Sequence, residues 1–201
     1  MAASGQGVGR PRDNEIDAAV SRAARELLAE VGYAQLTMDA TAARAGTSKA
    51  AIYRRFKSKA ELLFAATVHG SKPQPPADTG SLRGDLRALG RRIRSDMSAP
   101  AAREVVPHVI AEIGRSPDVS ERLRSLFVAS ERHEIEAILT RAVRRGELQR
   151  MPNVATVHRM LGGALLFTIM VIDEPMADAE LANVVDVLAG GLQTVMPPSS
   201  T

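Results

Sequence analysis

Hydrophobic residues recur at helical spacing through most of the chain, and interruptions of this pattern predict where each helix ends. The first apolar stripe runs for about four turns and consists of Ile16, Val20, Ala23, Leu27 and Val31. Gly32 follows it, and glycine readily adopts the positive-φ conformation that is common just after a helix. We therefore expect a first helix from Asn14 to Val31.

Two shorter helices should come next, joined by a tight turn. Thr37 has a hydroxyl that can cap the start of the second helix, and Asp39 is favourable in its first turn. Ser48 can cap the third helix in the same way. Within that helix Ile52 and Phe56 lie one turn apart, so both side chains should face the core.

The stretch "SKPQPPADTG", residues 71–80, separates these helices from the rest of the chain. Its prolines interrupt helical hydrogen bonding, so it is predicted to be a linker or surface loop and the main domain boundary. Before it, a capping box at Ser58–Glu61 should open a fourth helix that extends to about His69. Beyond it, the pattern predicts helices at about 81–98, 101–114, 118–145, 153–172 and 177–195, with a kink at Pro107 in the second of these.

This pattern predicts an all-α fold, and the composition agrees with it. Hydrophobic residues make up 45% of the chain and charged residues 24%, as in ordinary globular proteins, whereas aromatic residues reach only 3%. Such a mixture favours helices packed through aliphatic side chains. The absence of cysteine from the sequence excludes disulfides, a thiolate nucleophile and a cysteine-based zinc site.

No targeting or membrane segment is predicted. The N-terminal stretch "MAASGQGVGRPRDNE" has no apolar core of the kind found in a secretory signal. The longest apolar run, "MLGGALLFTIMVI" at residues 160–172, is shorter than the roughly 20 residues that cross a bilayer. We therefore expect a cytoplasmic protein.

The positive charge of the chain is concentrated near its N-terminus. Residues 1–63 contain 10 Lys and Arg against 7 Asp and Glu, whereas the remaining residues contain 16 of each kind. Between Thr41 and Ala60 there is no acidic residue, and the cations there are Arg44, Lys49, Arg54, Arg55, Lys57 and Lys59. A local patch of this kind is typical of a protein that binds the phosphate backbone of nucleic acid.

The same patch lies on a predicted helix-turn-helix unit over residues 37–56, in which Gly46 opens the turn. The second helix of such a unit enters the DNA major groove by its N-terminal end. There Lys49 is long enough to reach guanine O6 and N7, and Ala50 or Ala51 can approach a thymine methyl group. Lys59 should begin the fourth helix, where a bound phosphate would offset its unfavourable interaction with the helix dipole.

The segment "LTMDATAARAGTSKAAIYRRFKSKAELL", residues 36–63, resembles the TetR family of bacterial repressors. The family pattern is LT-x-x-x-I-A-x-x-A-G-V-S-x-x-x-L-Y-x-x-F-x-x-K-x-x-L, and the resemblance extends to "AARELLAEVGY" at residues 23–33. The chain departs from the pattern at Thr41, where a large aliphatic residue is usual, and at Thr47, where valine is usual. Both departures place a hydroxyl near a small core, so we expect a less stable head.

The resemblance implies a three-helix DNA-binding head followed by a helical ligand-binding and dimerisation body. Expected domains are a disordered basic arm (1–12), the DNA-binding domain (13–63), the regulatory and dimerisation domain (64–196) and a disordered tail (197–201). The DNA-contacting residues that the resemblance implies are Thr37, Arg44, Ser48, Lys49, Ala50, Ala51, Tyr53, Arg54, Arg55 and Lys59. Arg10 and Arg12 either enter the minor groove or belong to a solvated tail.

The last two predicted helices are apolar on several faces, which favours a homodimer built as a four-helix bundle across a two-fold axis. Their stripes are Leu161, Leu165, Thr168 and Ile172, and Leu181, Val185, Leu188, Leu192 and Val195. The alternative is that both helices lie in the core of the monomer.

A pocket for a mostly apolar effector is expected among the middle helices, although plain core packing would explain the same residues: Met97, Val105, His108, Val109, Ile113, Phe127 and Met160.

The sequence therefore predicts a repressor that a small molecule releases from a palindromic operator. A DNA-binding protein that acts through a protein partner is an alternative, and a helical enzyme is a weaker one, because the sequence contains no recognisable catalytic motif. No cofactor or metal is predicted, since the four histidines lack metal-ligand spacing. The arginine runs at 91–94 and 141–145 are interpreted as solvated faces and not as a second DNA site.

Overall fold

A computed structural model describes residues 10–68, 77–115, 117–123, 125 and 128–194, and all regular secondary structure in these residues is helical. The all-α prediction is therefore confirmed. The α-helices are α1 (Arg10–Gln35), α2 (Met38–Arg44), α3 (Lys49–Arg55), α4 (Lys59–Thr67), α5 (Leu82–Ser98), α6 (Pro100–Ile113), α7 (Pro117–Leu123), α8 (Ala129–Arg144), α9 (Val154–Leu166) and α10 (Asp178–Thr194). A π-helical turn, Phe167–Ile172, continues α9.

The chain forms two compact units, of which the first comprises Met1–Gly70 and Glu104–Val119. In this unit α1 packs against α2 and α4, and α2 packs against α3. The fully buried side chains at its centre include Val20, Ile52, Leu62 and Leu63. The inclusion of residues 104–119 differs from the predicted domains, which place these residues in the regulatory and dimerisation domain (64–196).

Helix α1 is longer at both ends than the predicted helix, and this corrects two boundaries. It begins at Arg10, inside the predicted disordered arm, and the fixed φ of Pro11 suits the first turn of a helix. Gly32 has φ 72° and ψ 172°, so it interrupts the helix as expected, but a further short turn continues to Gln35. Residues 1–9 of the predicted arm, and the predicted tail, lie outside the described residues.

The second unit comprises Ser71–Arg103 and Ser120–Thr201, and α5 packs in it against α8, α9 and α10. Its core consists of aliphatic side chains from these four helices, including Leu86, Ile138, Leu161, Leu165, Leu181 and Val185, all fully buried. Helices α5 and α10 approach closely at Gly90, where a Cβ atom would lie 2.8 Å from Cδ1 of Leu181.

Two predicted helices of this unit have a different form. The helix expected over 118–145 is divided into α7 and α8, with Ser125 and Val128 in π-helical conformation between them. The helix expected over 153–172 changes from α to π at Phe167 and ends at Asp173, whose φ of 61° is left-handed. Helix α6 continues as one helix through Pro107.

A buried carboxylate links the start of α5 to the end of α8. Asp85 has no exposed surface, and it accepts hydrogen bonds from the backbone N–H (2.7 Å) and hydroxyl (2.8 Å) of Thr79. Arg141 and Arg145 donate to its other oxygen at 3.3 and 3.1 Å. Burial raises the pKa of Asp85, but these hydrogen bonds and the arginine charges more than offset it and hold the pKa below its ordinary value.

The arginine run at 91–94 also forms ion pairs, which the interpretation as a solvated face did not include. Arg94 lies 2.5 Å and Arg91 3.6 Å from the carboxylate of Asp178 on α10. Arg92 pairs with Glu134, which is almost fully buried on α8. These ion pairs, like those of Arg141 and Arg145, join helices of the second unit.

Candidate nucleic-acid interface

The turn between α2 and α3 has the capping that the sequence predicts. The hydroxyl of Thr37 accepts from the N–H of Ala40 at 3.1 Å and begins α2, and the hydroxyl of Ser48 accepts from the N–H of Ala51 at 3.1 Å and begins α3. Gly46 has φ 64°, a value that glycine adopts without strain. Both helices are therefore capped, and they contact each other across a short turn.

Helix α3 has a buried face and an exposed face. Ile52 is completely buried and Phe56 is half-buried, as expected for the inner face. Outer positions are exposed at Ser48, Lys49, Ala50, Tyr53 and Arg54, whereas Ala51 and Arg55 are half-buried. The exposed side chains near the start of α3 form a surface that can face a base-pair edge.

The hydroxyl of Thr41, a departure from the family pattern, has a hydrogen-bond partner. Thr41 is fully buried on α2, and its hydroxyl donates to the carbonyl oxygen of Thr37 at 2.9 Å. A buried hydroxyl that is hydrogen-bonded within its own helix costs little. Thr47 is half-buried. The expectation that these residues weaken the head loses most of its physical basis.

Acidic residues from other helices lie against the basic patch, although none occurs within residues 41–60. The amine of Lys49 lies 2.7 Å from the carboxylate of Asp39 on α2 and 5.8 Å from the ring centre of Tyr53. The hydrogen bond and the charge of Asp39 raise the pKa of Lys49. Sequence analysis predicts a role for Asp39 only in the first turn of α2, and the fold adds its contact with Lys49.

Two arginines of the patch are paired in the same way with acids of α1. Arg44 lies 2.6 Å from Glu30, and Arg55 forms an ion pair with Asp17. We refer to Asp17, Glu30 and Asp39 as the acidic partners. These three contacts could not be predicted from the sequence, because each acidic partner lies ten or more residues away from the cation that it contacts.

Lys59 begins α4, as predicted, but its amine contacts the end of α1. The amine donates to the carbonyl oxygen of Tyr33 at 2.6 Å and lies 4.3 Å from the centre of the Tyr33 ring. The ring of His108 is stacked on the Tyr33 ring, with 3.7 Å between the two ring centres. Burial and the nearby Glu112 carboxylate raise the pKa of Tyr33. Lys59 therefore has carbonyl partners in the free protein.

The residues predicted to line a ligand pocket lie in different environments. Val105 and Val109 are buried in the first unit, where Ile113 is exposed. His108 is exposed at its edge but stacked on Tyr33. In the second unit, Met97 packs against the core and Met160 is 50% exposed. Phe127 lies outside the described residues.

A concavity of about 420 Å³ is present on the outer face of α8. It is lined by His133, Glu136, Ala137, Thr140, Arg141 and Arg144 and includes none of the predicted pocket residues. Within the part of the chain that the structure describes, no group of three or more acidic or histidine side chains could hold a metal ion.

An apolar surface extends along α9 and its π-helical turn. Met160, Phe167 and Val171 are 50%, 55% and 64% exposed and follow one another at intervals of seven and four residues, so they share one face. On α10, which packs against α9, Val187 is 74% exposed.

Val154–Ile172 is long and apolar enough to span a membrane, longer than the predicted 13-residue run, but such helices also occur in the cores of soluble proteins. Leu161, Leu165 and Ile169 of this helix are in fact buried in the core.

The capped pair α2–α3, the exposed start of α3 and the surrounding cations define a helix-turn-helix DNA-binding protein. Residues 21–66 match the family described as bacterial regulatory proteins, tetR family, and residues 76–188 match the tetracyclin repressor-like C-terminal domain. The chain belongs to the TetR family and is a DNA-binding transcriptional regulator.

Individual relatives agree with this assignment. An uncharacterized HTH-type transcriptional regulator of Mycobacterium tuberculosis is 36% identical over 177 residues, which cover 88% of this chain and 85% of that protein. The DNA-binding transcriptional repressor TetR of Mycobacteroides abscessus is 32% identical over 172 residues, covering 84% and 89%. The solved structure of the TetR family transcription regulator SCO0332 has a TM-score of 0.74 and 28% identity, and the match covers 88% of this chain and 98% of that chain.

Proposed function

We propose that the protein is a repressor that binds a palindromic operator as a two-fold dimer and is released by a small, mostly apolar effector. The observation that carries the DNA-binding part is the arrangement of α3. Its apolar anchor Ile52 is fully buried, while Lys49, Ala50, Tyr53 and Arg54 are exposed on the outer face. This arrangement supports insertion of the N-terminal end of α3 into the major groove.

The proposed contacts divide into two groups. Lys49, Ala50, Ala51 and Arg54 face base edges, as the resemblance to the TetR family implies, and the first three lie in the first turn of α3. The remaining residues hold the phosphate backbone and are Thr37, Arg44, Ser48, Tyr53, Arg55 and Lys59. Lys59 would have to give up its carbonyl partner at Tyr33 to reach a phosphate, so its contribution is smaller than that of an unpaired lysine.

Homodimerisation through α9 and α10 accounts for the exposed apolar face of these helices. Large apolar side chains that are half or more exposed on two adjacent helices favour contact with another apolar surface. A second copy of the same face supplies it, and a two-fold axis then forms a four-helix bundle. The two α3 helices of the dimer would read the two halves of a palindrome.

Effector control rests on the family assignment and on the helical body. Effector binding within this body would favour a dimer whose α3 helices no longer match successive grooves. Coupling of this kind typically amounts to 1–3 kcal/mol and is reciprocal, so operator DNA would weaken effector binding by the same factor. A regulator of chromosomal DNA in bacteria acts in the cytoplasm, which is the proposed location.

Footprinting on genomic DNA fragments, together with light scattering, tests this proposal. We expect protection of a palindrome whose half-site centres are separated by about 10–10.5 base pairs or a multiple of that spacing. Light scattering should give the mass of a dimer at micromolar concentration. Binding that shows no preference among fragments, or a monomer under these conditions, would rule the proposal out.

A further inference from the structure

Three cations of the proposed DNA surface have a carboxylate partner from another helix. Lys49 contacts Asp39, Arg44 contacts Glu30 and Arg55 contacts Asp17, each within ion-pair distance. If this surface bound only phosphates, its cations would be expected to remain available to the DNA backbone. The acidic partners therefore reduce the positive charge on the face that the sequence makes most basic.

The exposure of the Lys49–Asp39 pair argues against a purely structural role. The two side chains are 62% and 58% exposed, and ion pairs in such surroundings contribute little to stability. The tyrosine ring at 5.8 Å from the Lys49 amine helps to define where the amine lies, at the start of α3. Asp39 thus pairs with Lys49, which is proposed to contact a base. Because the pair is exposed, a DNA phosphate could also approach the Lys49 amine.

Non-specific DNA binding depends on cations that neutralise phosphates and release condensed counterions. A lysine already neutralised by a carboxylate gains less from a phosphate, and the carboxylate itself repels the backbone. A hydrogen bond to a guanine edge, in contrast, is directional and is available only at the correct base pair. An acidic partner of a base-contacting lysine should therefore penalise random DNA more than the operator.

We propose that Asp39 is a specificity-determining residue that competes with phosphate for Lys49 and so suppresses non-specific DNA binding. Glu30 and Asp17 neutralise Arg44 and Arg55, which are proposed to hold phosphates, so these two acids weaken binding to all DNA alike. The proposal rests on the proposed function, because it assigns these acids to the same DNA-binding surface. It predicts that removal of the Asp39 charge strengthens binding to random DNA and lowers the ratio of operator to random-DNA affinity.

The test measures salt-dependent binding of the full-length protein to a random-sequence duplex and to the operator found by footprinting. For Asp39→Asn we expect the salt dependence on random DNA to become steeper by about 0.9 in log–log slope. If counterion release alone contributes, the affinity at 0.1 M salt rises roughly eightfold. Asp39→Glu keeps the charge and should behave like the wild type.

Glu136→Gln is the matched control, since it removes one exposed carboxylate from α8 in the second unit and changes the net charge equally. It should leave the slope on random DNA unchanged. A combined Asp17→Asn, Glu30→Gln and Asp39→Asn variant should steepen the slope further, and circular dichroism checks its folding. The single variants decide the question if the combined one unfolds.

The proposal is overturned if Asp39→Asn has the same slope and random-DNA affinity as Glu136→Gln. It is also overturned if Asp39→Asn weakens operator binding alone, because Asp39 would then position Lys49 or accept from a base. These outcomes differ from failure of the proposed function, in which the wild-type protein itself would not distinguish operator from random DNA.

Discussion

Lys49 and Lys59 occupy equivalent places in the sequence, each directly after a serine that caps a helix, but their amines have different surroundings. Lys49 is exposed beside a carboxylate at the start of α3, whereas the amine of Lys59 is hydrogen-bonded to a carbonyl oxygen at the end of α1. The local pattern Ser-Lys-Ala predicts the helix start at both places. It cannot predict the partners, because Tyr33 is brought to Lys59 by the packing of α1 against α4.

Replacement of Lys49 and Lys59 should distinguish recognition of a base pair from stabilisation of the DNA-binding head. Lys49→Ala should relax the preference at one base pair, with a loss of about 1–3 kcal/mol in discrimination there. Lys59→Ala should weaken binding to all sequences alike. It should also lower the stability of the head by about 0.5–1.5 kcal/mol, because the Tyr33 carbonyl loses its donor.

Binding to operators with single base-pair changes, together with urea unfolding of each variant, measures both effects. Equal losses of affinity on every sequence for the two variants would contradict the separation of roles. Lys57→Ala serves as a reference for the removal of an exposed cation from the same segment.

Asp85 gives the second unit a defined pH dependence. Because its folded pKa lies below the unfolded value of about 4, the carboxylate stabilises the protein at neutral pH. This contribution is fully present above the unfolded pKa and decreases as the pH falls through the folded pKa. Asp85→Asn should lower the free energy of unfolding at pH 7 by about 1.5–3 kcal/mol, since Arg141 and Arg145 lose a charged acceptor.

Urea unfolding of the wild type and Asp85→Asn at pH 7 and at pH 3 checks this expectation. The difference between the two proteins should narrow at pH 3, because Asp85 then binds protons more readily in the unfolded wild type than in the folded one. A difference that is constant with pH would show that the carboxylate charge has no part in the effect.

At the scale of elements, the helix starts that depend on a local cap could be predicted from the sequence. The caps at Thr37, Ser48 and Ser58 all accept from the N–H three residues later, as their spacing indicates. The division of the predicted helix over 118–145 could not be predicted, because apolar periodicity continues through it. The early start of α1 at Arg10 was missed since glycine and proline nearby favour a coil.

Two helical glycines allow the cost of a close contact to be compared with the gain in helix propensity when alanine replaces glycine. At Gly84 in α5, a Cβ atom would lie 2.1 Å from the hydroxyl of Thr79 and 2.9 Å from that of Ser81. These hydroxyls hold Asp85 and cap α5, so Gly84→Ala would displace both. We expect a loss of about 1–2 kcal/mol in the free energy of unfolding, as for other overpacked sites or lost caps.

Gly162→Ala in α9 is the control, because its Cβ atom would meet only the His158 ring, at 4.0 Å. There the higher helix propensity of alanine should dominate and raise the free energy of unfolding by up to about 1 kcal/mol. Thermal or urea unfolding followed by circular dichroism compares the two variants. A rise in the free energy of unfolding for both variants would mean that contacts at Thr79 and Ser81 do not determine the result at Gly84.

For the whole molecule, the sequence could predict which segment carries the charge but not how far that charge is neutralised. The cations of residues 41–60 are adjacent in the chain, whereas Asp17 and Glu30 reach them only when α1 folds over the same unit. The environment of the predicted pocket residues could not be predicted from the sequence either. Its residues share an apolar pattern, but they belong to two compact units, and periodicity alone does not assign a residue to a unit.

The exposed apolar residues of α9 and α10 allow a test of the dimer on which operator recognition is proposed to depend. Val187 is 74% exposed, so Val187→Glu should leave the fold of the second unit intact. In a dimer built on this face the same carboxylate would be buried without a partner, at a cost of several kcal/mol. We expect a monomer by light scattering, with unchanged helical content but a lower unfolding midpoint, because the stabilisation by the partner subunit is lost. Operator affinity should fall about a hundredfold or more, because the two half-sites are no longer bound by linked heads.

Met151→Glu provides the control, since Met151 is also an exposed apolar residue of the second unit but lies before α9. It should remain dimeric and bind the operator as the wild type does. If Val187→Glu is dimeric at micromolar concentration, α10 is not at the dimer interface, and the exposed face of these helices must serve another purpose. If it is monomeric but binds the operator with full affinity, each head recognises its half-site independently, and the dimer is not required for recognition.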